Sequence, residues 1–140
     1  MSYNITFYCH SNATRPGEAI DQIAAWTASQ GVGLQLATRA SGVGWAEASI
    51  GLSDSSAADG SVRLEVHNAP SLVGDMVKQV SSEDSSKRLA AADLVAILTL
   101  SGDEIEWEAV RGTWLALEAL WSAIPYDDGS GFGATIESLG

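Results

Sequence analysis

The chain has 140 residues, 46% of them hydrophobic and 18% charged, and a formal net charge of −11. That length fits a single domain over residues 1–140 that can bury a core without disulfide or metal, and the composition is too apolar for a disordered chain. The negative balance disfavours nucleic acid and anionic membranes, and a lone cysteine excludes an internal disulfide.

The charge is unevenly spread. Up to Arg88 there are nine acids and six bases; from Leu89 onward there are nine acids and one base, Arg111. The acidic end would suit a basic partner. Residues 1–9 lack the basic stretch and apolar run of a secretory signal, and residues 89–100, interrupted by Asp93, are too short to span a bilayer. A cytoplasmic, soluble protein is therefore expected.

Tyr3, Ile5, Phe7 and Cys9 alternate with Asn4, Thr6, Tyr8 and His10, which predicts a half-buried strand. Residues 11–15 read as a turn. Pro16 suits a first helical turn, and Ala19, Ile20, Ile23, Trp26 and Thr27 recur at helical spacing until Gly31 caps the end. Residues 33–68 read as an antiparallel meander. Leu34 and Leu36 begin its first strand. After a glycine-rich turn (Ser41, Gly42, Gly44), Ala46, Ala48, Ile50 and Leu52 alternate with polar neighbours. Residues 53–60 have loop composition, and Val62, Leu64 and Val66 then alternate with Arg63, Glu65 and His67.

Asn68 and Pro70 open a second helix with the apolar face Leu72, Val73, Met76, Val77 and Val80. Residues 81–88 are polar and serine-rich. The run 94–100 is almost entirely Leu, Val, Ile and Ala, which fits a central strand.

Trp107, Trp114 and Trp121 follow at seven-residue spacing, with Val110, Leu117 and Ile124 three residues after each. On one helix these six would share a stripe that drifts ~20° per repeat. The three tryptophans are expected to be core, since each can bury roughly 150–250 Å². Asp103 with Glu106 has the form of a capping box, and Pro125 is the expected stop. Residues 131–140 read as a loose tail or a further edge strand.

The order is strand, helix, three strands, helix, strand, helix. It predicts the α+β class: a two-layer sandwich whose mostly antiparallel sheet carries two to three helices on one face.

The chemistry-bearing residues are sparse. Cys9 and His10 are adjacent on a strand, so they point to opposite faces, and Cys9 joins Ile5 and Phe7 as a core thiol. Tyr8, His10, Arg63, Glu65 and His67 would form one polar patch if their strands were neighbours. Such a patch could bind a small anion or perform acid–base work. Asp127 and Asp128, before Gly129, Gly131 and Gly133, lack the ligand pattern of a calcium loop and the lysine of a phosphate loop. No catalytic set, metal site or cofactor motif emerges.

The sequence therefore predicts a small acidic non-catalytic module that binds a protein partner or itself, as a homodimer. Immunity and antitoxin proteins directed against basic toxins are one version, by analogy of size and charge. The acids expected to carry such binding are Glu104, Glu106, Glu108, Asp127 and Asp128. A small-ligand binder or enzyme using the polar sheet face is the alternative.

Overall fold

The computed structural model describes residues 2–52, 62–83, 88–101 and 105–127. Six strands of the described residues form one sheet: β1 (Ser2–Cys9), β2 (Leu34–Gly42), β3 (Trp45–Leu52), β4 (Val62–His67), β5 (Leu94–Ser101) and β6 (Ile124–Tyr126). Their spatial order is β2-β3-β4-β5-β1-β6, and every paired neighbour is antiparallel. Among the described residues, three α-helices accompany them: α1 (Pro16–Ser29), α2 (Pro70–Val80) and α3 (Trp107–Trp121). Among the described residues no helix is long and apolar enough to cross a membrane.

The period-two pattern places the core. Ile5, Phe7 and Cys9 of β1, Ala46, Ala48 and Ile50 of β3, Val62, Leu64 and Val66 of β4, and alternate residues of β5 all face the same side. Helices α1 and α3 close that side with Ala19, Ile20, Ile23, Val110, Trp114 and Leu117. The α+β class and the helical layer on a sheet follow the expectation from the sequence.

Helix α2 lies on the other side of the sheet. Val73 and Val80 pack there with Tyr8, Leu89 and Val95, and Tyr8 is paired with Val95 across β1 and β5. The physical reason is the composition of β5. Leu94, Val95, Ala96, Leu98 and Leu100 are all buried, so this strand has apolar residues on both faces and needs cover on both.

Two helix ends differ from their predicted positions. Glu106, with φ −78° and ψ 87°, occupies the N-cap of α3 and forms no side-chain cap. It therefore cannot be the N3 residue of a capping box begun by Asp103, which lies outside the described residues. At the other end Ser122 adopts the left-handed conformation (φ 51°), and its N–H donates to the Glu118 carbonyl over 3.1 Å. Pro125 comes later, in β6, opposite Phe7 of β1.

Candidate functional site

The tryptophan stripe separates into two parts. Trp114 and Trp121 are 1% and 4% exposed and belong to the core with Val110 and Leu117, whereas Trp107 is 43% exposed. Trp107 starts the helix, where the stripe runs past the edge of the core. Ile124 is not on the helix but in β6.

Beside this exposed end, α1 and α3 approach closely. A Cβ on Gly112 would lie 3.3 Å from Thr27 Cγ2 and 3.6 Å from Val32 Cγ1. Two buried hydroxyls near the contact are satisfied within their own helices: Thr27 donates to the Ile23 carbonyl and Thr113 to the Ala109 carbonyl. A cleft of about 450 Å³ lies at this contact, lined by Trp26, Val32, Glu108, Arg111 and Leu115 among others. It combines an indole and aliphatic surface with one charge of each sign.

The five acids expected to bind a partner are dispersed. Glu108 is exposed on α3. Glu106 is half-buried, and its carboxylate accepts the Leu52 N–H at 3.4 Å. Asp127 is only 2% exposed, so its charge is not offered to a docking surface as expected. Glu104 and Asp128 lie outside the described residues.

The polar sheet patch is also divided. Strand β5 stands between β4 and β1, which separates Arg63, Glu65 and His67 from Tyr8 and His10. Tyr8 is 3% exposed, and its hydroxyl donates to the Met76 carbonyl of α2. His10 lies past the end of β1, where its backbone N–H donates to the Trp121 carbonyl. On β4, Arg63 pairs with Glu47 of β3, and His67 Nε2 lies 3.7 Å from Glu65 Oε1. The shared patch required neighbouring strands, and the intervening β5 removes that condition.

Cys9 is buried on the core face, whereas His67 alternates onto the other face of the sheet. Burial, assisted by the negative charge of Asp93, pushes its thiol up to about 12. It is not an activated nucleophile. Among the described residues no group of three His, Cys, Asp or Glu could hold a metal ion.

One arrangement has no counterpart in any local sequence pattern, where Asp93 stands only as a break in an apolar run. The Asp93 carboxylate accepts the Ser11 N–H at 2.7 Å, the Ala13 N–H at 2.8 Å and the Ser11 hydroxyl at 3.1 Å. Burial opposes its ionisation, but the bonds from Ala13 and Ser11 outweigh it and hold the carboxyl below its usual range. Between these anchors, Asn12 and Ala13 both take positive φ, 57° and 70°. Non-glycine residues rarely adopt that conformation, and it persists only where neighbouring groups impose it. The asparagine in the turn is a weak local signal; the partner, 80 residues away, has none.

Comparison with known proteins finds no matching family model, no similar curated protein and no similar solved structure.

Proposed function

We propose that this chain is a non-catalytic, cytoplasmic protein-binding module that takes a basic partner on the face formed by α1 and α3. The observation that carries this reading is the exposed Trp107 at the head of α3, next to Glu108 and near a cleft walled by Trp26, Arg111 and Leu115. Tryptophan and arginine are enriched in protein interfaces and dominate their binding energy. The net charge of −11 supplies long-range attraction for a cationic partner. An immunity or antitoxin role against a basic toxin is one version; a homodimer on the same face is another.

The test begins with a partner captured from cells on the immobilised chain and then purified. Its affinity is measured at low and high salt for the parent, Trp107→Ala, Glu108→Lys and, on the far side of the sheet, Asp75→Lys. Steered binding weakens as salt rises. Trp107→Ala should raise Kd roughly tenfold or more, the effect of losing an interface anchor. Asp75→Lys should alter it far less. Salt-independent affinity, or equal losses at Asp75 and Glu108, would overturn the assignment of this face. Sedimentation of the chain alone distinguishes a homodimer, which Trp107→Ala should dissociate.

A further inference from the structure

The second large cleft lies on the opposite side of the sheet and is independent of the α1–α3 face. It measures about 420 Å³ and is walled by Val73, Gly74 and Val77 of α2, by Ala13 of the strained turn, and by Ala92 and Asp93. That volume falls in the range of small-molecule sites, and the chemistry has their usual form: an apolar lining with few polar groups. Among the described residues that line it, Asp93 is the one ionisable group, and Asn68 adds a neutral carboxamide.

Three features point to a ligand. The Asp93 carboxylate is fixed by three hydrogen bonds from the 11–13 turn. Its negative charge stands at the wall of the cleft and attracts a cation that enters it. The turn that fixes it holds two consecutive non-glycine residues at positive φ, the kind of backbone strain that clusters at binding sites. Finally, Gly74 stands inside α2, where glycine weakens a helix relative to alanine. No packing explains it, because a Cβ there would meet nothing within 4 Å. Its missing side chain leaves the cleft open.

We propose that this cleft binds a small aliphatic amine, with the ammonium on the Asp93 carboxylate and the hydrocarbon body along Val73 and Val77. The hydrogen bonds that fix the Asp93 carboxylate also preorganise it, so little ordering is required on binding.

The full chain, labelled with ¹⁵N, is titrated with butylammonium chloride and, in parallel, with butanol and sodium chloride. The expected result is saturable amide shifts at Ala13, Gly74, Ala92 and Asp93 with the amine. Its Kd should be about tenfold or more below that of butanol, the ratio one charge-assisted hydrogen bond supplies. Gly74→Leu should fill the cleft and abolish these shifts while the melting temperature is held or raised. Asp93→Asn should abolish them as well, but it also disturbs the turn, so Gly74→Leu is the deciding variant. Equal affinity for butanol, shifts spread over the acidic surface, no saturable shift, or full binding by Gly74→Leu would each overturn the proposal. Trp107→Ala should leave the titration unchanged, which separates this cleft from the partner-binding face.

Discussion

The Phe7 ring of β1 meets the Trp114 indole of α3 edge to face, with ring centres 4.9 Å apart and planes at 90°. Both residues are buried, so this contact joins the middle of the helical layer to the sheet. Edge-to-face pairs add ~0.5–1.5 kcal/mol to the burial of their surfaces. Trp114→Ala should therefore cost ~3–5 kcal/mol in urea denaturation. Trp107→Ala, at the exposed head of the same stripe, should cost under about 1 kcal/mol, as surface substitutions do. Equal costs would mean that the stripe is one continuous core face.

The approach of α1 to α3 depends on the small size of residue 112. Gly112→Val would force its branched side chain against Thr27 and Val32. A cost of ~1–3 kcal/mol is expected from overpacking, read by chemical denaturation. The same variant should also reshape the cleft beside Trp26 and so weaken the partner binding proposed for this face.

Cys9 should be unreactive toward a thiol reagent at pH 8 in the folded protein and react fully once unfolded. Burial keeps its thiol protonated up to about 12, whereas an unfolded cysteine titrates near ~8.5. Above that pH the unfolded chain releases a proton that the folded chain retains. This group's contribution to stability is thus intact below ~8.5 and declines as pH rises toward about 12. Rapid labelling under native conditions would contradict a sealed core at Cys9.

Asp93 has the opposite sign. Its folded value is lowered, so its contribution is present above the unfolded value and lost as pH falls through the folded one. Asp93→Asn should cost ~1–3 kcal/mol at neutral pH, because donors in the 11–13 turn lose their ionised acceptor. The gap between variant and parent should begin to narrow below about pH 4, where the carboxylate of the unfolded parent takes up a proton before that of the folded one. A gap that stays constant down to pH 2 would show that the ionised carboxylate does not hold the turn.

Much of the architecture was legible from local patterns. Alternation marked β1, β3 and β4, the apolar run marked β5, and helical spacing with Pro16 and Pro70 marked α1 and α2. Cys9 as a core thiol followed from alternation alone. Which acids stand at the surface was less legible, because charge counts carry no information on burial: Asp127 is inside and Glu108 outside. The Asp93 clamp was not legible, since its donors lie about 80 residues away and no short motif links them.

By itself the sequence determined which residues share a face, because period-two and helical spacings are properties of the backbone and need no partner. Only the tertiary structure decided which faces meet. Inserting β5 between β4 and β1 parts His67 from His10, and apolar residues on both faces of β5 draw α2 to the side opposite α1 and α3. Strand order and helix placement minimise exposed apolar surface over the whole chain, a sum that no local window contains.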